Sequence, residues 1–556
     1  MKSLKLLVIL FCCIIVACTS SKSALQKPQI ITIAYTKKKA LTETEKQNWQ
    51  HKDIIEDSIA GISLDKAYNE ILSHKKTDTI VVAVLDTGIE IEHNEFKGIF
   101  WKNENEIPNN GIDDDNNGYI DDINGWNFLG NKSKNVLISN YESTRFIRLY
   151  DSVFKNKDKS FFTGKDTLLY KQYQLVLKDH ISKLEKAKKT LDDYTRAYND
   201  YERLIQVLKP YFPNEKFTIQ KLNAINTDDD SLNYFIEEAK KCVTYNITRD
   251  WFEYKKKWAA VRYEKHLGAS GYNESDIIGD DPNTITDKGY GNSNVDGEKL
   301  TRYHSTQVTG VLAGNRNDET GIKGITNSVK IMPVRLAALG SERDKDIALA
   351  IRYAVDNGAK VINMSFRNDF SSHREWVDDA IKYAASKDVV LVIAAGNEST
   401  NSDVCFNYPN DQIENEKSFT NNFIVVGASS YKSNLVSDFS NYGKHNVDIF
   451  APGEDIYTSN TGNKYAFIDG TSFATPIVSG IVALIRSYYP NLTAAEIKQI
   501  IMKSGVSLNI MVNKPSTSKE KELAPFCSLS KSGKIVNAYN ALLMAEEVSK
   551  KKKRKK

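Results

Sequence analysis

Cysteine is scarce in this chain of 556 residues, with six in all. Cys12, Cys13 and Cys18 fall at the N-terminus, so Cys242, Cys405 and Cys527 allow at most one intramolecular disulfide among them. Long apolar runs are also lacking: Leu6 to Ala17 is too short for an ordinary membrane span. The body carries no excess of positive charge. The net charge is +4, and the seven consecutive basic residues from Lys550 to Lys556 more than account for it. A nucleic-acid-binding surface is therefore not expected. The tail itself reads as a solvated, disordered charge run, with a contact to anionic lipid or polymer as the alternative. A second Asp-Thr-Gly or Asp-Ser-Gly beside Asp86-Thr87-Gly88 is missing, which excludes a pair of catalytic carboxylates from two such loops in one chain. With 41% hydrophobic residues, a sizeable core is affordable and one small domain is too little.

The N-terminus reads as a targeting segment: Lys2 and Lys5 precede the apolar run. That run ends Ile15-Val16-Ala17-Cys18, which resembles a bacterial lipobox. The resemblance implies removal of residues 1–17, a lipid on Cys18 and an exported, membrane-anchored lipoprotein at the periplasmic face or cell surface. A plain secretory signal is the alternative. Residues 18–48 read as a polar tether, with no room for a folded inhibitory prodomain. Maturation by signal removal and lipidation alone is expected. Of the disulfides open to this chain, Cys405–Cys527 is preferred, because Cys242 sits in a helical insertion.

Organised sequence begins at Trp49. Thr79 to Leu85 is a continuous β-branched run, the pattern of a parallel strand covered on both faces. It ends in Asp86, where α/β proteins place their sites. The loop Asp113-Asp114-Asp115-Asn116-Asn117-Gly118-Tyr119-Ile120-Asp121 follows the start of an EF-hand-type loop. Asp113, Asp115, Asn117, Tyr119 and Asp121 are its candidate calcium ligands. Its twelfth position is Asn124 instead of Glu, which predicts weak or different binding, and a solvated Asx-rich turn is the alternative.

Residues 49–139 form the first part of the main domain, and 140–268 break into it. Leu177, Leu184, Leu191, Tyr198 and Ile205 recur at sevens, with His180, Ala187, Tyr194, Tyr201 and Leu208 three later. This coiled-coil-like seam ends at Pro210. A second helical region from Ser231 to Leu267 makes an antiparallel hairpin. It packs on its own domain, narrows substrate access or docks a protein partner. The main domain resumes over 269–548, and 549–556 is the basic tail.

Asp469-Gly470-Thr471-Ser472-Phe473-Ala474-Thr475-Pro476 leads into Ile477 to Ile485, apolar on nearly every side. The pattern predicts a buried helix with Ser472 at its N-terminus and Pro476 in its first turn. Free N–H groups and the positive dipole end would favour an oxyanion there. His304-Ser305-Thr306-Gln307 opens another helix of small residues.

Asp86, His304 and Ser472 stand in the chain order Asp…His…Ser, and the chain resembles the subtilisin-like serine proteases, or subtilases. The likeness covers roughly residues 49 to 545 outside the helical insertion. It implies a three-layer α/β fold with a mainly parallel sheet, interrupted by the insertion, and a serine endopeptidase acting through an acyl-enzyme. Asp86, His304 and Ser472 would be the triad, and the Asn397 side chain would stabilise the oxyanion. Ser365, Phe366 and Arg367 would border the substrate, a peptide or protein, and Ala394-Ala395-Gly396 would line the primary specificity pocket. No cofactor would serve the chemistry, and any calcium would be structural. The family's His-Gly-Thr-His is here His304-Ser305-Thr306-Gln307. Its Leu-Gly-Gly is Phe366-Arg367-Asn368, and Arg367 would favour carboxylate-bearing substrates. These departures sustain one alternative of a different class, a catalytically weak pseudoprotease that binds partners through the insertion.

Overall fold

The computed structural model describes residues 32–33, 40–317, 321–405, 407–412 and 418–555. The expected leader and the expected lipidation site, Cys18, lie outside them. Among the described residues no helix is long and apolar enough to cross a membrane.

Fourteen strands are described: β1 Thr32–Ile33, β2 Ile80–Asp86, β3 Trp126–Asn127, β4 Val329–Arg335, β5 Ala359–Met364, β6 Val390–Ala394, β7 Phe423–Ser429, β8 Ile449–Pro452, β9 Ile456–Asn460, β10 Lys464–Ile468, β11 Val506–Leu508, β12 Met511–Asn513, β13 Leu523–Pro525 and β14 Lys534–Ile535. Ten build one sheet in the order β1-β11-β14-β8-β7-β6-β5-β2-β4-β3. Every pairing in it is parallel except β11 with β14. The remaining four form the antiparallel pairs β9–β10 and β12–β13.

The sheet is buried on both faces, as its β-branched strands require. Val82, Val84, Val361, Val390 and Val392 point into one core with Ile477, Ile481 and Leu542. Their neighbours Ala83, Leu85, Ile362, Leu391 and Ile393 point into a second core with Ile347, Ile351 and Ile381. This period-two alternation makes the protein a three-layer α/β fold.

The helices that matter for function are α1 Glu142–Phe154, α2 Gly164–Leu208, α3 Asp230–Thr244, α4 Arg249–Ala260, α5 Tyr303–Ala313, α6 Asp344–Asp356, α7 Arg374–Ser386, α8 Thr471–Tyr488, α9 Ala494–Ser504 and α10 Ala538–Lys555. The insertion's first leg is the single 45-residue α2. Its second leg is broken, against expectation, between α3 and α4. Asn246 there has φ +50°, and the Thr248 side chain caps α4. The α2 seam packs on this broken leg through Tyr201, Leu204, Ile205 and Leu208 against Phe235, Ile236 and Ala239.

Two other expectations are overturned. The basic tail is helical through Lys555, continuing α10. Lys550 pairs with Glu546 at 2.5 Å, Lys551 with Glu547 at 2.6 Å and Lys552 with Glu496 of α9 at 2.7 Å. Pairs one turn apart and an anchor on a neighbouring helix supply partners that a solvated run lacks. The expected Cys405–Cys527 bridge is absent: Cys242, Cys405 and Cys527 are all free.

Candidate active site

Asp86 closes β2 and is 2% exposed. Its Oδ1 accepts the Thr87 N–H at 2.7 Å and lies 2.7 Å from His304 Nδ1. His304 is the second residue of α5, whose start is pinned by the Ser305 N–H donating to Thr87 Oγ1 at 3.1 Å. Small residues allow α5 to pack closely on β9 of the antiparallel pair: a Cβ on Gly310 would come within 2.1 Å of Ser459 Oγ. Burial pulls the His304 pKa down, but the Asp86 charge, the Asp86 hydrogen bond and Glu342 together leave it raised above 6.5. Glu342 is itself buried, and desolvation pushes its carboxyl up to about 7.

Ser472 is the second residue of α8, which is buried from Phe473 through Ser487. Gly470 caps the helix at φ +151°, a conformation that favours glycine. Pro476 is the sixth helical residue, not part of the first turn, because the helix starts at Thr471. A prolyl nitrogen cannot donate to the carbonyl four residues back, which is that of Ser472. The Ser365 hydroxyl takes the vacant place and donates to the Ser472 carbonyl at 2.8 Å. Asn363 Nδ2 donates to Ser365 Oγ at 3.0 Å, and Ser479 Oγ donates to Asn363 Oδ1 at 2.8 Å. This buried chain fixes the first turn of α8 against the end of β5.

The Ser472 hydroxyl donates to the Ser365 carbonyl at 2.9 Å, not to His304. The His304 ring lies 5.6 Å from that of Phe473, the residue after Ser472. Asn397, after β6, accepts from both the backbone N–H and the hydroxyl of Thr471 at 2.9 Å. Its amide oxygen is thereby committed, and its Nδ2 is left as a donor beside the start of α8.

Arg367 crosses this end of the sheet. Its Cδ and Nε occupy the space above Gly396, where a Cβ would meet them at 2.3 and 2.4 Å. Its Nη2 pairs with Asp369 at 2.7 Å and Glu398 at 3.0 Å. Phe366 is half-buried against the second core. Asn368 exchanges backbone hydrogen bonds with Tyr408 at 2.8 and 2.9 Å, so the edge leaving β5 is free only before that point.

The insertion docks beside the same loops. Arg145 of α1 donates to the Ser341 carbonyl at 2.9 Å and the Glu342 carbonyl at 2.8 Å, and pairs with Glu142 at 2.6 Å and Glu274 at 2.5 Å. Nothing in the local sequence marks Arg145; its partners lie up to 197 residues away.

In the acidic loop, carboxylate oxygens of Asp113, Asp115 and Glu106 lie within 4.8 Å of one another. Glu106 carries no motif position and was not expected. Asn117 Oδ1 caps the Tyr119 N–H at 2.7 Å, while the Asp121 carboxylate accepts from Asn110 and Gly111 at 3.1 and 3.0 Å.

The geometry thus brings together an acid–imidazole pair, a serine at a helix N-terminus and a free amide donor. Known proteins are similar over the same region. Residues 77–523 match the subtilase family. A thermophilic serine proteinase of Bacillus sp. (strain AK1) is 41% identical over 199 residues, which are 36% of this chain and 45% of that one. Thermitase of Thermoactinomyces vulgaris is 36% identical over 185 residues, 33% of this chain and 61% of its own. Subtilisin Savinase of Lederbergia lenta is 32% identical over 222 residues, 39% of this chain and 77% of its own. The match to the first of these spans less than half its length. The family match covers most of the chain and both arms of the geometry, and the chain belongs to the subtilase family.

Proposed function

We propose that the protein is a serine endopeptidase cleaving peptide bonds through Asp86, His304 and Ser472. The observation that carries this is the 2.7 Å pairing of His304 Nδ1 with a buried Asp86, which leaves the opposite ring nitrogen, Nε2, to act as base. Ser472 turns from the Ser365 carbonyl toward His304, gives its proton to Nε2, and Oγ bonds to the substrate carbonyl carbon. The oxyanion is held by Asn397 Nδ2 and the Ser472 N–H. His304 then protonates the leaving amine as the C–N bond breaks. Water attacks the acyl ester, its proton passes to His304 and then to the departing Ser472 Oγ. Asp86 holds the tautomer and faces the imidazolium. No metal step is required of these residues.

Labelling with a fluorophosphonate, on wild type and Ser472→Ala, tests this. Labelling lost in the variant supports it. The pseudoprotease alternative draws on the Ser472 hydroxyl being bonded to Ser365 instead of His304; folded wild type that does not label would favour it.

Two accessory proposals belong here. The acidic loop holds a structural calcium through Asp113, Asp115 and Glu106, and calorimetric titration against Asp113→Ala decides it. Cys18 carries a lipid that anchors the exported protein, and loss of labelled-palmitate incorporation in Cys18→Ala is the check.

A further inference from the structure

Arg145 belongs to the insertion, yet its guanidinium serves two places. Nε and Nη1 stay with the insertion, on Glu142, Glu274 and the Asn140 carbonyl. Nη2 reaches the main domain and donates to the Ser341 carbonyl at 2.9 Å and the Glu342 carbonyl at 2.8 Å. The Glu342 carbonyl also accepts from Asn368 Nδ2 at 3.0 Å. Glu142, the ion-pair partner of Arg145, accepts the Ser372 N–H at 3.0 Å. The insertion therefore grips both the loop after β4 and the loop after β5, and Asn368 ties one loop to the other. The loop after β4 starts against the acid of the active site: the Leu336 and Ala337 N–H groups donate to the Asp86 carbonyl at 3.0 and 3.1 Å. Glu342 stands out in this loop. It is 8% exposed, and among the described residues its carboxylate forms no ion pair. Burying an unpaired carboxylate is costly, and such groups concentrate at functional sites.

We infer that Glu342 is a second carboxylate serving His304, and that Arg145 holds it in place from the insertion; both are positioning residues. The inference rests on the endopeptidase reading. When Ser472 gives up its proton, His304 becomes an imidazolium. Asp86 pairs with its Nδ1, and the Glu342 charge adds a weaker attraction of the same sign. The charged groups that act on Glu342 come from three elements: Asp86 of β2, His304 of α5 and Arg145 of α1. Burial and Asp86 favour its protonated form, while Arg145 and His304 favour the carboxylate. Arg145 thus acts twice on Glu342. Its two hydrogen bonds fix the backbone of this loop, and its charge favours the ionised side chain that His304 needs.

The test is the pH dependence of the fluorophosphonate labelling rate at Ser472, in wild type, Glu342→Gln, Arg145→Gln and the double variant. Labelling needs a neutral His304, so the rate falls off on an acid limb. Glu342→Gln takes a negative charge away from His304, and the limb should move to lower pH by about 0.5. Arg145→Gln should move it in the same direction, because Glu342 then stays protonated to higher pH. In the Glu342→Gln background, Arg145→Gln should move the limb no further. A limb that moves to higher pH in Arg145→Gln would mean that the Arg145 charge acts on His304 directly, and would overturn the inference. A rate lowered equally at every pH, with the limb unmoved, would reduce Arg145 to a structural anchor. Glu342→Gln is isosteric and relieves a buried charge, so it can be read even where Arg145→Gln does not fold; an unmoved limb in it refutes the inference by itself. Folded wild type that does not label would remove the endopeptidase reading and this inference with it.

Discussion

Ser365→Ala removes one hydroxyl that has two separate partners. The Ser472 carbonyl loses the donor that replaces the missing Pro476 N–H, and Asn363 Nδ2 loses its acceptor. Both lie in a buried network, with Asn363 0% and Ser365 2% exposed. An orphaned buried group costs about 1–3 kcal/mol, so the pair should cost about 3 kcal/mol. Unfolding entropy near ~2.1 cal/mol/K per residue, over about 500 residues, is about 1 kcal/mol/K. The melting temperature should therefore fall by about 3 K. The measurement is scanning calorimetry on Ser365→Ala in a Ser472→Ala background, which prevents self-digestion. In the active background, fluorophosphonate labelling should slow, because the first turn of α8 loses its tie to β5. A melting temperature within about 0.5 K of the parent, with unchanged labelling, would refute the role assigned to Ser365 and to Pro476 beside it.

The kcat/KM profile should have an acid limb above pH 6.5, since His304 must be neutral to act as base and its pKa is raised; Asp86→Asn removes the chief raising interactions, so the limb should move down and kcat fall by about 10⁴, the loss known for this exchange in another Ser-His-Asp protease. Arg145→Ala leaves the buried Glu142 and Glu274 uncompensated and should cost about 3–5 kcal/mol in denaturant unfolding. Burial pushes the Asp344 carboxyl up to about 7, far above its unfolded value. The folded state therefore holds an extra proton that it loses as pH rises through 7, and this contribution to stability declines from pH 5 to pH 8. Asp344→Asn should flatten that decline, read from urea midpoints at the two pH values.

The local chemistry of this protein was legible in its sequence. The β-branched run ending at Asp86 and the apolar run after Ser472 each specify their element through neighbours a few residues away, and β2 and α8 form where those patterns lie. The order Asp86, His304, Ser472 was enough to anticipate the family, because each motif sits on one short segment. Where a prediction depended on a partner far along the chain, only the tertiary structure decided it. Pro476 is tolerated in the interior of α8 because Ser365, 107 residues from Ser472, satisfies the freed carbonyl. The basic tail is ordered because Glu496 of α9 anchors Lys552. The insertion leans on the active-site loops through Arg145, a residue with no local signature. Arg367 reads as a free positive charge in sequence, yet Asp369 and Glu398 neutralise it and Gly396 gives it the space it fills. Periodicity and capping act within a few residues and can be read in one dimension. The pairing of buried polar groups depends on which segments the sheet brings together, and that is fixed only once the chain has folded.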